Sequence, residues 1–251
     1  MHSIPFLLLC LAAVSLAAPT GLFDDAYNYS GDLAKFYGKV SQYIHGSKNN
    51  GLFSTCDTSK IALPGFASNL TSPGDLKPMY VGVGRGTQNY TCADSTAKSE
   101  PKAAGAVANL YNATCIAASY PALMEIIPKI AYAIPLPQNE DSLFPPANME
   151  LMGHHFFYDS STPEFNLDLS SKKNGIVMTK KKGELNAPKD AFKGKDGAVS
   201  WLYLTATDGT VGDYKSVYRV NTAGGSPPKT CQGLESSFTV QYAANYYFFG
   251  K

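Results

Sequence analysis

Phe238-Thr239-Val240-Gln241-Tyr242-Ala243-Ala244-Asn245-Tyr246-Tyr247-Phe248 is the stretch from which the fold class follows. Phe238, Val240, Tyr242, Ala244, Tyr246 and Phe248 recur at every second position, with Thr239, Gln241, Ala243 and Asn245 between them. A period of two sends alternate side chains to opposite faces of a strand, so Phe238 to Phe249 reads as a half-buried strand. From Met149 onward, similar short runs recur between turn residues: His154 to Tyr158, Gly175 to Thr179, Val199 to Thr207 and Tyr214 to Asn221. Val199-Ser200-Trp201-Leu202-Tyr203-Leu204 is apolar on both faces and reads as a central strand, with Asp208-Gly209 turning the chain after it. No helix of crossover length separates these runs, which disfavours a parallel α/β sheet. The expected class is all-β: an antiparallel β-sandwich or barrel-like domain over residues 78–251, with an N-terminal helical appendage and one short inserted helix.

Working outward, Met79, Val81 and Val83 alternate with Tyr80, Gly82 and Gly84 before Thr87-Gln88-Asn89-Tyr90-Thr91-Cys92. This reads as strand, glycine bend, strand, with the glycines permitting a bulge. Ser119-Tyr120-Pro121 opens a short helix in which Leu123, Ile126 and Ile127 share a face and Pro128 limits the extension. A proline-rich loop follows from Pro135 to Pro146. Leu33, Phe36, Tyr37, Val40 and Ile44 recur at helical spacing, an amphipathic helix within an appendage over residues 18–77. Ahead of it, Ile4 to Val14 is almost uninterrupted in apolar character and is followed by Ser15-Leu16-Ala17, a signal peptide over residues 1–17 cleaved after Ala17. That run falls short of the roughly 20 apolar residues a membrane span needs. The ending Tyr246-Tyr247-Phe248-Phe249-Gly250-Lys251 lacks the spacer and tail of a lipid-anchor signal. Secretion into the extracellular medium, with no membrane anchor, is expected.

Cys10 leaves with the signal, and Cys56, Cys92, Cys115 and Cys231 remain. Four cysteines in an oxidising compartment admit three pairings, among which spacing does not choose. No pair has the short spacing of a structural zinc site. Asn28, Asn69, Asn89 and Asn112 each begin an N-x-S/T sequon without proline in the middle, which together with a signal peptide indicates a eukaryotic glycoprotein.

The 251 residues carry 16% charged side chains, 16 Tyr and 13 Phe, too apolar a composition for disorder. Twenty-one basic against 20 acidic residues leave a net charge of +1, so no global field draws the protein onto a polyanion. Lys172, Lys173, Lys180, Lys181, Lys182, Lys189, Lys193 and Lys195 do cluster. Asp168, Glu184, Asp190 and Asp196 interleave with them, so the stretch reads as a solvated hairpin edge and nucleic acid is not an expected partner.

Three constellations are candidates for chemistry. Gly82-Val83-Gly84-Arg85-Gly86 has the wrong glycine spacing for a dinucleotide loop and leads into strand-forming residues, so no cofactor is expected and Arg85 is placed at a surface groove. Gly153-His154-His155-Phe156 puts adjacent histidines on opposite faces of a strand, an arrangement that disfavours a shared metal and leaves each imidazole as a single candidate. Asp159, Glu164 and Asp168 supply carboxylates for glycoside hydrolysis if two of them face each other across a groove, and act as turn formers otherwise. No histidine stands at the mature N-terminus, and neither G-x-S-x-G nor H-E-x-x-H occurs.

The chain resembles a secreted fungal and bacterial domain family of unknown function whose members are often labelled malate dehydrogenase. The resemblance rests on Val81 to Cys92, Gly105-Ala106-Val107-Ala108-Asn109-Leu110-Tyr111, Gly153-His154-His155-Phe156, Val199 to Leu204, Tyr218-Arg219-Val220-Asn221-Thr222-Ala223-Gly224-Gly225 with Pro228 and Cys231, and Tyr242 to Phe248. These cover about residues 78–250, leaving the N-terminal helix and Cys56 outside and the lysine-rich stretch as a variable insertion. The resemblance implies an all-β extracellular domain without established catalytic residues. It also implies Cys92 paired with Cys231 in the shared core and Cys56 with Cys115 as an added pair. Malate oxidation needs a pocket for nicotinamide, and neither the phosphate-binding fingerprint nor the alternating β-α pattern that builds such a pocket is present. The expected function is a secreted, glycosylated protein of the fungal cell wall or host surface, effector-like, contacting polysaccharide or a host surface protein through exposed tyrosines. Its candidate surface site is Arg85, His154, His155 and Asp159. The alternative is a carbohydrate-active hydrolase, which requires Asp159, Glu164 and Asp168 to converge with His154 or His155 in one pocket.

Overall fold

The computed structural model describes residues 56–251 apart from 138, 140 and 146. The signal peptide, Asn28 and the helix expected between Leu33 and Ile44 lie outside the described residues. Two 3-10 turns, Thr58–Lys60 and Gly65–Asn69, lead into β1 (Lys77–Thr91) and β2 (Lys102–Asn112). Three short helices follow: α1 (Thr114–Ser119), α2 (Pro121–Met124) and α3 (Ile127–Ala133). The remaining strands are β3 (Leu151–Phe157), β4 (Pro163–Asp168), β5 (Lys173–Leu185), β6 (Trp201–Ala206), β7 (Tyr214–Gly224) and β8 (Ser237–Gly250).

Each strand pairs antiparallel with the next, and β8 returns to pair with β1, so the sheet closes into an eight-stranded up-and-down barrel. This resolves the sandwich-or-barrel expectation in favour of the barrel. The reason is the length of β8, which runs beside β1 from Ser237 to Gly250 and beside β7 from Tyr242 to Gly250, leaving no free edge.

The strand, bend and strand expected around Gly82–Gly86 is one continuous strand. Its register shifts at Pro78/Tyr80 against β8 and at Asn89/Tyr90 against β2, away from the glycines. The single inserted helix is three, and Pro128 sits in the first turn of α3, where a missing N–H costs no hydrogen bond. The expected half-burial of β8 is also corrected: every residue from Tyr242 to Gly250 is buried. Its inward Tyr242, Ala244, Tyr246 and Phe248 pack with Leu110, Phe165, Val177 and Leu204 inside the barrel. Its outward Ala243, Tyr247 and Phe249 join Val81, Val83, Tyr218 and Val220 beneath Ile127 and Ile130 of α3 and Ile61 and Leu70 of the leading segment. Helices laid on the outer wall therefore create a second core on the face that would otherwise meet water. β6 has a neighbour on each side, with Trp201 and Leu204 buried and its other residues half-buried.

Two disulfides fasten the connections. Cys56–Cys115, with 5.3 Å between Cα atoms, ties the segment before β1 to α1. Cys92–Cys231, at 5.8 Å, ties the β1–β2 loop to the β7–β8 loop, the pairing that the resemblance implies. Among the described residues no helix is long and apolar enough to cross a membrane.

Candidate functional site

The lumen begins with an absence of side chains. Gly82, Gly84, Gly86 and Gln88 share one face of β1 and pair in turn with Asn112, Leu110, Ala108 and Ala106 on β2, while Gly82 and Gly86 pair with Tyr246 and Tyr242 on β8. A Cβ at Gly84 would lie 2.4 Å from the Tyr246 ring, and one at Gly86 would lie 1.9 Å from the carbonyl oxygen of Val107. The glycines thus leave room for large tyrosines from β8 and let β1 and β2 approach closely.

The opposite face of β1 carries Arg85, which does not line a surface groove. It is 7% exposed, because α3 covers it. Its Nε donates to the carbonyl of Ala131 at 2.8 Å, Nη1 donates to that of Gly86 at 3.2 Å, and the guanidinium lies 5.9 Å from the Tyr132 ring centroid. Burial pulls its pKa below the ordinary value. The side chain clamps α3 to the barrel.

The other expected surface residues separate as well. His154 is half-buried on the outside, with Nδ1 3.0 Å from Asn109 Oδ1. His155 is 4% exposed and faces the lumen, paired with Phe165 across β4. The barrel wall stands between the two imidazoles, so they do not share a metal. Asp159 is exposed in the β3–β4 turn, where the backbone N–H groups of Ser161 and Thr162 donate to its Oδ1, each at 2.7 Å, and hold its carboxyl below the usual range. Glu164 lies on the side of β4 opposite lumen-facing Phe165 and is itself buried, 6% exposed, and Asp168 accepts from the backbone N–H of Gly175 at 2.7 Å. The three carboxylates do not converge with either histidine. Tyr158, 72% exposed, is the one fully exposed tyrosine among the described residues, so no aromatic platform covers the outer surface. Of the sequons described, Asn69 and Asn112 are exposed and Asn89 is half-buried on β1.

The geometry that gathers polar groups is the lumen. At one end Tyr80, Tyr214 and Phe248 fill the barrel, with the Tyr214 hydroxyl donating to the carbonyl of Asn174 at 2.5 Å. At the other end a cavity of about 610 Å³ opens between the β3–β4 turn, the end of β5 and the residues before β6. This is within the size range of small-molecule pockets. Arg219, Gln88, His155 and Tyr246 line it together with Tyr90, Phe157 and Phe165.

Arg219 of β7 faces Leu202 and Tyr246 in register and is 9% exposed. Its Nε and Nη2 donate to the carbonyl of Ser200 at 3.2 and 3.0 Å, and Nη1 donates to Gln88 Oε1 at 3.3 Å. Among the described residues no carboxylate forms an ion pair with it. Gln88, 8% exposed, uses its oxygen on Arg219, and its Nε2 makes no hydrogen bond of normal geometry, with the Tyr242 hydroxyl near it. Nδ1 of His155 lies 2.8 Å from the carbonyl oxygen of Glu164; that oxygen only accepts, so Nδ1 carries the proton. The ring stacks on Phe165 with centroids 4.2 Å apart. Burial lowers the His155 pKa to about 4, the Glu164 carbonyl opposes this and the Arg219 charge adds to it, so the imidazole is neutral near pH 7 with a lone pair on Nε2. The Tyr242 and Tyr246 hydroxyls meet at 2.9 Å, and burial raises both pKa values. At the rim Lys181 donates to Glu184 Oε2 at 2.7 Å and holds that carboxyl below its ordinary range.

Of the expected site residues only His155 reaches this cavity. Gln88, Arg219, Tyr246, Lys181 and Glu184 are not among the expected site residues: Lys181 and Glu184 read as a solvated hairpin edge, and the other three as strand residues. Arg219 had a readable signal, a lone cation inside the apolar run Val217-Tyr218-Arg219-Val220, where a strand face is too apolar to leave a charge without purpose.

Residues 73–250 match a family described as Protein of unknown function (DUF3455), and residues 9–71 match a second, Protein of unknown function (DUF2990). No curated protein and no solved structure matches the chain. The first match runs from just before β1 to the last residue of β8 and so takes in every strand and the lumen they enclose: the chain belongs to the DUF3455 family.

Proposed function

We propose that the protein is an extracellular binding barrel that takes a small molecule into the open end of its lumen. The observation that carries the reading is Arg219, a charge nine-tenths buried with no ion pair among the described residues, which, unlike the equally buried Arg85 beneath α3, stands in the wall of a cavity of about 610 Å³ with Glu184 acting on it only at longer range. An unpaired buried charge is expensive, and it persists where something else meets it. Two disulfides fit an oxidising compartment. In this reading the signal peptide releases the protein, glycans sit on the exposed Asn69 and Asn112, and the site of action is the fungal cell wall or the host surface. Recognition passes from the outer face, which lacks a tyrosine platform, to the lumen. A cavity filled at its far end suits a small molecule or a chain end better than the middle of a polysaccharide.

The test is calorimetry of the purified protein against a panel of small aromatic compounds, repeated with Leu202→Trp, which places a larger ring in the mouth. Saturable one-to-one binding in the parent chain, lost in a variant with the same melting temperature, is the expected result. Equal binding by both proteins would move the site out of the lumen.

A further inference from the structure

Resting on the lumenal reading, we propose that the ligand is a hydroxylated aromatic carboxylate, its carboxylate on Arg219 and Gln88, its hydroxyl donating to Nε2 of His155, and its ring against Phe165 and Phe157. A guanidinium has five N–H donors; the three bonds to Ser200 and Gln88 leave two, one of which lies toward the Tyr246 hydroxyl, so at least one stays open to a ligand. Beside them stands Nε2 of Gln88, which makes no hydrogen bond of normal geometry and has only the Tyr242 hydroxyl near it as an acceptor. A planar fork with spare donors matches a planar carboxylate.

The charge of the ligand follows from what surrounds Arg219. His155 is neutral near pH 7 and Tyr242 and Tyr246 keep their protons, so one positive charge lines the inner wall. Two more cations reach the mouth from β5: Lys181, engaged by Glu184, whose carboxylate also faces the mouth, and the exposed Lys180. A single buried cation at the inner end suits a single negative charge there and disfavours a doubly charged phosphate, while the lysines at the mouth are exposed to water and screened. The hydroxyl follows from His155: with Nδ1 committed as a donor to the Glu164 carbonyl, Nε2 can only accept, and among the described residues nothing donates to it. The flat body follows from the walls, where Tyr90, Phe157 and Phe165 offer ring surfaces.

Calorimetry at pH 7 with cinnamate, its 2-, 3- and 4-hydroxy derivatives and the methyl esters of each isolates the contributions, and needs no variant. The tightest hydroxycinnamate should bind roughly 10- to 100-fold more tightly than its methyl ester, the loss expected when charge-assisted hydrogen bonds go. It should also exceed cinnamate by roughly three- to tenfold for one neutral hydrogen bond. Arg219→Met should erase the preference for acid over ester while leaving ester binding in place. Acid and ester binding alike would overturn the anionic ligand and leave the lumenal site standing. Hydroxycinnamates no tighter than cinnamate would overturn the role of His155. No binding by any of the probes would overturn both the inference and the reading beneath it.

Discussion

His155 is kept neutral by its burial, and pH makes the cost of that measurable. Its folded pKa is about 4 against an ordinary value of about 6.5, so as pH falls through 6.5 the unfolded chain takes up the proton first. Stability therefore rises with pH between about 4 and 6.5, and acidification from pH 7 to below 4 removes about 3 kcal/mol through this group alone. The groups facing the ring act in the same window: Arg219 from β7 opposes protonation, Tyr246 from β8 stays neutral, and the Glu164 carbonyl of β4 holds Nδ1–H. Urea unfolding of the parent chain and His155→Phe at pH 7 and pH 5 should give a smaller loss in the variant; equal losses would refute the assignment. The glycines of β1 give a second residue-scale prediction. Gly86→Ala pushes a methyl into the Val107 carbonyl and should cost about 3 kcal/mol or prevent folding, and Gly84→Ala should cost about 1–3 kcal/mol against the Tyr246 ring. Gly65→Ala, with no atom within 4 Å, should stay within about 0.5 kcal/mol in the same denaturation assay. The sequence marked Gly82–Gly86 as bend material because the tyrosine they make room for is remote in the chain. Only the paired register of β1 with β8 reveals it.

Strands were legible in proportion to how much of their environment is local. β8 announced itself by alternation, since inward Tyr242 and Tyr246 and outward Ala243 and Asn245 differ in size and polarity. Its burial on both faces was not legible, because the cover comes from α1–α3 and from residues 56–71. β4 escaped altogether: Glu164, Asn166 and Asp168 interrupt Phe165 and Leu167, and its polar half, following Ser160-Ser161-Thr162-Pro163, resembles a turn. Arg85 holds α3 against β1 through the Ala131 carbonyl. Arg85→Met should lower stability by about 1–3 kcal/mol and speed amide exchange in 127–133 ahead of the strands. Uniform acceleration across β1 and β8 instead would show that the guanidinium supports the whole barrel and no single helix. The disulfides span 59 and 139 residues, so in the chain-entropy model their removal costs about 4 and about 5 kcal/mol. Thermal unfolding of the Cys56→Ala/Cys115→Ala and Cys92→Ala/Cys231→Ala pairs should follow that order, and a larger drop for the first pair would contradict it.

Closure of the barrel is a property of the whole chain. It depends on β1 meeting β8, strands separated by most of the described sequence, and no window of residues encodes it. The all-β class could be read from alternation and turn spacing, while the choice between an open stack of sheets and a closed ring could not. The candidate site was illegible for the same reason. Gln88, His155, Arg219 and Tyr246 come from four strands, and what joins them is that each faces the axis of the ring. The closed wall also provides the most direct test of the central claim, that the ligand enters the lumen. His154 and His155 are neighbours in the chain and lie on opposite sides of one strand, so histidine-selective ¹⁵N NMR during titration with 4-hydroxycinnamate reads the inside and the outside at once. The Nε2 resonance of His155 should shift to saturation while both His154 resonances stay in place. Movement of His154 with His155 unchanged, or a silent His155 under conditions where calorimetry records binding, would contradict lumenal entry.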